Sequence, residues 1–153
     1  KNTNLISSIW AYTIIKVKKD FDNWNKRKKE LQSREDAPDF YHQREIWWAA
    51  MGTNVGVEAD GKGEEYSRPI VIIKGFNKSS FLAVALTGRK KESDYYVYLG
   101  KVEDRDASAN LSQIRIFDTK RLIRKIGMLE EDKFLELLER IKELLFSVDT
   151  KQS

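Results

Sequence analysis

"YSRPIVIIKGF", residues 66–76, sets Arg68 directly before Pro69 and then runs through Ile70, Val71, Ile72 and Ile73. An unbroken apolar run behind a proline reads as a strand buried on both faces. Proline fixes its own φ and pushes the preceding residue toward extended geometry, so Arg68 is held at the mouth of a core strand. Other short apolar runs surround it: REIWWAAM at 44–51, SFLAVALT at 80–87, DYYVYLG at 94–100 and LSQIRIF at 111–117. Each is bounded by Gly, Pro, Asn, Asp or charged residues, with no room for long helices between them. The pattern predicts an antiparallel, barrel-like sheet.

Helical spacing appears only at the two ends. LEEDKFLELLERIKELLF, residues 129–146, places Phe134, Leu137, Leu138, Ile141, Leu144 and Leu145 on one stripe behind three acids, which suit a helix N-terminus. Toward the start, Ile14, Val17, Phe21, Trp24 and Leu31 recur at helical intervals, with the cluster Lys26 to Lys29 largely off that seam. SREDAPDF, residues 33–40, then reads as a linker. The chain thus divides into a basic helical extension with its linker, residues 1–40, and a barrel domain with a C-terminal helix, residues 41–153. Between the first two strands, GTNVGVEADGKGEEYS at 52–67 holds four glycines and is expected to be a mobile flap.

Composition narrows the chemistry. A chain of 153 residues fits one domain, and one of this size buries roughly two thirds of its unfolded surface. Having no cysteine, it lacks disulfides, thiolate metal sites and cysteine nucleophiles; having one histidine, His42, it cannot build a histidine-pair nuclease within one chain. The net charge of +4 is uneven: residues 1–34 hold nine Lys/Arg against three Asp/Glu, a net of +6, leaving −2 for the rest. A basic arm beside a nearly neutral domain points to a polyanion or an acidic protein, or to a solvated helix face. LISSIWAYTIIKV, residues 5–17, is shorter than the roughly 20 residues a bilayer span needs. A soluble, cytoplasmic protein that does not enter a membrane is expected.

The stretches REIWWAAMGTNVGVEADGKGEEYSRPIVII, AVALTGR and LSQIRIFDTKRLIRKIG resemble, in order, the motifs of the MazF/PemK toxins of type II toxin–antitoxin systems. The resemblance covers about residues 42–146. It implies a mainly β, α+β fold: a small SH3-like antiparallel barrel of the MazF/CcdB kind with a C-terminal helix. It also implies a homodimer that cleaves single-stranded RNA, including mRNA, without metal or cofactor and is restrained by a cognate antitoxin. Arg68 matches the family's catalytic arginine, Thr87 its catalytic threonine and Glu58 its loop glutamate. Gln113 and Arg115 match the Gln-Ile-Arg element near the RNA groove. Ser112 stands where some relatives carry an acid, and Val57 where others carry histidine, so the arginine–threonine form of the chemistry is the one these residues allow.

That chemistry is self-consistent. RNA supplies its own nucleophile, the 2′-hydroxyl, so the protein need only orient the phosphate, stabilise its charge and manage protons. Arg68 offers a planar fork of donors and Thr87 a short hydroxyl. Arginine is an awkward base, which leaves Glu58 or water to take the first proton. Gln113 and Arg115 lie two apart and share a strand face, with Ile114 and Ile116 expected in the core. Asn54, Lys62, Ser112 and Trp47 complete the expected RNA contacts; of the adjacent pair Trp47 and Trp48, one is core and the other free to stack. His42 is expected to be structural. Two other classes stay open: a non-catalytic member of this fold that binds RNA or poisons a protein target, and a barrel module whose basic arm docks an acidic partner.

Overall fold

The computed structural model describes residues 18–150. A helix, α1 (Phe21–Gln32), precedes six strands: β1 (Glu45–Ala50), β2 (Ser67–Gly75), β3 (Ser80–Thr87), β4 (Tyr96–Val102), β5 (Arg105–Asp118) and β6 (Leu122–Met128). A short 3-10 turn, Thr119–Arg121, joins the last two strands, and helix α2 (Glu131–Phe146) follows. The strands form one antiparallel sheet in the order β4–β5–β3–β2–β1–β6. The sheet curls into a half-barrel because β5 is long enough to serve two neighbours. Residues 105–110 pair with β4, and residues 108–109 and 114–118 pair with β3.

The isoleucine–valine run is buried on both faces, as its unbroken apolarity requires. Val71 and Ile73 enter one core with Ile46, Val84, Leu86 and Leu111, which Phe134, Leu137 and Ile141 of α2 cover. Ile70 and Ile72 enter a second core with Trp47, Met51, Phe81 and Phe117. On α2 the apolar stripe runs out at its end, where Leu145 is half-exposed and Phe146 lies in solvent.

Four differences from the sequence reading have local causes. Strand β6 was not expected because Arg124 and Lys125 interrupt its apolar run, yet it pairs along β1. Strand β5 begins six residues earlier than its apolar segment. Ile116 is 52% exposed, since the cover of its face stops at Ile114 and Leu82. In α1, Trp24 and Leu31 are buried whereas Phe21 is largely exposed; Ile14 and Val17 of the same stripe lie outside the described residues.

Helix α1 packs on the barrel beside the β1–β2 loop. Asp20 caps it by accepting from the Asn23 amide at 3.0 Å. Trp24 meets the Tyr66 ring at 5.4 Å between centroids, and the Arg121 guanidinium lies 5.6 Å over Trp24. The same indole lies against Gly52, where an added Cβ would come within 2.4 Å of the ring. The loop read from its glycines as a mobile flap is hydrogen-bonded to itself at its base. The Tyr66 carbonyl, at a residue with φ of 51°, accepts the amides of Met51 and Gly52, and the amide of Gly61 donates to Gly52.

Candidate active site

Arg68 and Thr87 line one cleft of about 770 Å3. Arg68 stands on β2 one residue before Pro69, and Thr87 ends β3, the neighbouring strand. The register between them, Ile70 opposite Ala85 and Val71 opposite Val84, is held by fully buried residues. The guanidinium is aimed by backbone. Its Nε donates to the carbonyl of Asp60 at 2.7 Å, and one Nη donates to the carbonyl of Leu86, next to Thr87, at 3.2 Å. Further donors of the fork remain for a ligand. Burial lowers the Arg68 pKa, with Asp60 and Tyr96 opposing it, and an arginine so placed is still a cation at neutral pH.

The cleft is electropositive. Lys62, Arg89, Lys91 and Arg105 join Arg68 along its walls, five cations against the carboxylates of Glu103 and Asp106. Both acids are kept ionised: hydrogen bonds from Arg124 and Trp48 lower Glu103, and one from Tyr98 lowers Asp106. Trp48 also lines the cleft, its indole N–H donating to Glu103 at 3.2 Å. The β3–β4 connection that carries Arg89 and Lys91 is fixed by the buried hydroxyl of Ser108. That hydroxyl donates to the Arg89 carbonyl at 2.7 Å and accepts from the Lys91 amide at 2.8 Å. Arg89, Lys91 and Arg105 were missed by sequence reasoning, and of the two tryptophans it is Trp48, not the expected Trp47, that reaches the cleft. The basic run after Thr87, GRKK at 88–91, was the available signal.

The remaining expected residues gather elsewhere. Gln113 lies where the β3–β5 pairing jumps from Val84 opposite Ile114 to Leu86 opposite Ala109, so four residues of β5, 110–113, face Ala85 alone on β3. This bulge throws Gln113 toward the loop. Its oxygen accepts the Ala59 amide at 2.8 Å, and its amide nitrogen donates to the Val57 carbonyl at 3.3 Å. Glu58 is exposed and closes its own turn on the Val55 amide at 3.1 Å, outside the lining of the Arg68 cleft. Asn54 braces the loop through Asp60 and Ala59. Arg115 lies 4.8 Å over the Phe117 ring; burial lowers its pKa, opposed by Glu58. Ser112 donates to Asn110.

Trp47 is corrected from an RNA contact to a core residue. It is 8% exposed and donates its indole N–H to Glu45 at 2.7 Å. Glu45 accepts in addition from Lys125 at 2.9 Å and contacts Nδ1 of His42 at 3.0 Å, so His42 belongs to this structural cluster. Burial would raise the Glu45 carboxyl, but these partners outweigh it and hold the group below its ordinary range. Among the described residues, no three His, Cys, Asp or Glu side chains converge as a metal site would require, and no helix is long and apolar enough to cross a membrane.

Comparison with solved structures supports the architecture. The MazF toxin of Deinococcus radiodurans superposes with a TM-score of 0.55 at 18% identity, covering 74% of this chain and 100% of that one. An endoribonuclease from a mycobacterial species, solved with its cognate antitoxin, gives 0.53 at 12% identity over 72% of this chain and 99% of that one. The Mycobacterium tuberculosis toxin MazF-mt6 gives 0.52 at 16% identity over 69% and 99%. At these identities the likeness is one of fold. A comparison with curated protein sequences gives no match. The family model of the PemK-like, MazF-like toxins of type II toxin–antitoxin systems, however, matches residues 42–145, more than half of the sequence, and the chain belongs to that family.

Proposed function

We propose that this protein is a metal-independent endoribonuclease that cuts single-stranded RNA, mRNA among it, and that a cognate antitoxin restrains it. The observation that carries this reading is the convergence of Arg68 and Thr87 in a cleft lined by five cations. Similar folds bear the name endoribonuclease, and one of them was solved with its antitoxin.

In the proposed reaction the RNA 2′-hydroxyl attacks the adjacent phosphorus, forming the O2′–P bond as the P–O5′ bond breaks. Arg68 and the Thr87 hydroxyl hold the phosphate oxygens and stabilise the charge that gathers on them. Arg68 does not act as the base, and Glu103 and Asp106 are weak ones because their hydrogen-bond partners lower the pKa of both carboxyls. Water therefore takes the 2′-proton and returns one to the departing 5′-oxygen. Lys62, Arg89, Lys91 and Arg105 hold flanking phosphates, and Trp48 offers a face for stacking. Gln113, Glu58 and Asn54 act indirectly, by shaping the loop. Residues 1–40 serve as an extension to the catalytic domain of residues 41–153, and the working unit is a homodimer.

Purified protein incubated with a mixed RNA pool, with product ends sequenced, tests the reading. The expected products carry a 2′,3′-cyclic phosphate, or its opened form, and a 5′-hydroxyl. EDTA should leave the rate unchanged, and deoxyribose at the cut position should block it. Binding without cleavage would favour the non-catalytic reading; inhibition by EDTA rescued by magnesium would overturn the metal-free one.

A further inference from the structure

Lys19 lies outside the matched family domain, two residues ahead of α1, yet its ammonium reaches the β1–β2 loop. It donates to the carbonyl of Asn54 at 2.6 Å and of Gly56 at 2.9 Å, and pairs with Oδ2 of Asp60 at 2.9 Å. An ammonium has three donors, and here all three have acceptors. The two side chains are 27% and 32% exposed, so the pair is partly withdrawn from water and less screened than an open surface pair.

Asp60 connects this contact to the candidate active site. Its other carboxylate oxygen accepts the Asn54 amide at 2.6 Å, and its backbone carbonyl accepts Nε of Arg68 at 2.7 Å. The orientation of the Arg68 fork therefore depends on where Asp60 sits, and Lys19 fixes Asp60 together with the carbonyls of Asn54 and Gly56. The anchor of Lys19 is itself firm. Asp20 caps α1, and Trp24, five residues after Lys19, is buried against Gly52 and Tyr66 at the base of the same loop.

We infer that Lys19 is a positioning residue for Arg68: the N-terminal arm clamps the β1–β2 loop so that the Asp60 carbonyl holds the guanidinium in its reactive orientation. This inference rests on the ribonuclease reading. It gives the arm a role in turnover separate from any general attraction of its cations for RNA.

The test uses the full chain, an RNA cut by the wild type, and five variants: Lys19→Met, Asp60→Asn, the two combined, Lys19→Arg and Lys18→Met. Lys18 is exposed and adjacent, so its replacement removes the same charge without touching the loop. Lys19→Met should lower kcat roughly tenfold to a hundredfold while KM stays within about threefold, because a misaligned catalytic group slows the chemical step more than it weakens binding. Exchange of the Asn54 and Gly61 amides should accelerate in parallel. Asp60→Asn keeps the backbone carbonyl but removes the partner of Lys19, and should follow Lys19→Met; the double variant should lose little more than either one. Lys18→Met should change neither reading, and Lys19→Arg should recover part of kcat.

Wild-type kcat in Lys19→Met would overturn the inference, even with faster loop exchange. So would equal losses in Lys19→Met and Lys18→Met, which would assign the effect to charge alone. A wild type that cleaves no RNA would overturn the ribonuclease reading and the positioning role of Lys19 with it.

Discussion

Arg68 and Thr87 stand on neighbouring strands whose register is fixed by buried apolar pairs, whereas Asn54, Glu58 and Asp60 ride on a loop held by side chains remote in sequence. The strand residues need only the local pattern: a proline, an apolar run, and the end of the next run. The loop needs Lys19, 35 residues before Asn54, and Gln113, 54 residues after Ala59. The two regions meet at Arg68, which donates one hydrogen bond to each: to the Leu86 carbonyl on the strand side and to the Asp60 carbonyl on the loop side. A single guanidinium is thus aimed by one support that folding of the sheet guarantees and one that depends on distant parts of the chain.

The loop side should fail without the strand side. Trp24→Ala removes a 5%-exposed indole from beneath Gly52 and Tyr66, and should destabilise the protein by about 3 kcal/mol in urea unfolding. Gly52→Ala should cost about 2 kcal/mol, since its φ of 95° disfavours a side chain and the new methyl would press on the Trp24 ring. In both variants, amide exchange should quicken in residues 52–66 before it does in β2 and β3.

Gln113→Ala removes two hydrogen bonds to the loop and should cost about 1 kcal/mol, with protection lost first at the Ala59 amide. If that protection is unchanged, the bulge in β5 does not support the loop.

The strand side has its own, smaller test in pH. Glu45 opens β1 and is ionised more readily in the folded state than in the unfolded one. Its contribution is present above the unfolded value of about 4.3 and is lost as pH falls through the lower folded value. Glu45→Gln should therefore give a shallower loss of stability on acidification, read from urea midpoints at successive pH values. An unchanged acid limb would show that the Trp47 and Lys125 contacts do not favour the carboxylate.

This division also marks what the sequence could convey. The barrel, α2 and the two-sided burial of β2 follow from period and punctuation, because these features depend on neighbours in the chain, whereas the association of Arg68 with Thr87 rests on the resemblance to the MazF/PemK motifs. Strand β6 has no clear apolar pattern because Arg124 and Lys125, adjacent and therefore on opposite faces, are both exposed, and its existence depends on pairing with β1. Of the two adjacent tryptophans, alternation said that they part but not which way; the pairing of β1 with β2 and β6 sends Trp47 inward and Trp48 to the cleft. Gln113 was legible as polar and placed near the site, but the bulge that turns it onto the loop has no local signature. Lys19 looked like one cation among many in a basic arm, and only tertiary structure separates it from Lys18.

The most direct measurement compares single-turnover cleavage of one RNA by the wild type, Arg68→Ala and Glu58→Gln, each verified as folded by its unfolding midpoint. Arg68→Ala should lose at least about a hundredfold in rate, because it removes a donor to the charge of the transition state, while Glu58→Gln should lose less than about tenfold. Wild-type cleavage by a folded Arg68→Ala protein, or a larger loss in Glu58→Gln, would contradict the role assigned to Arg68.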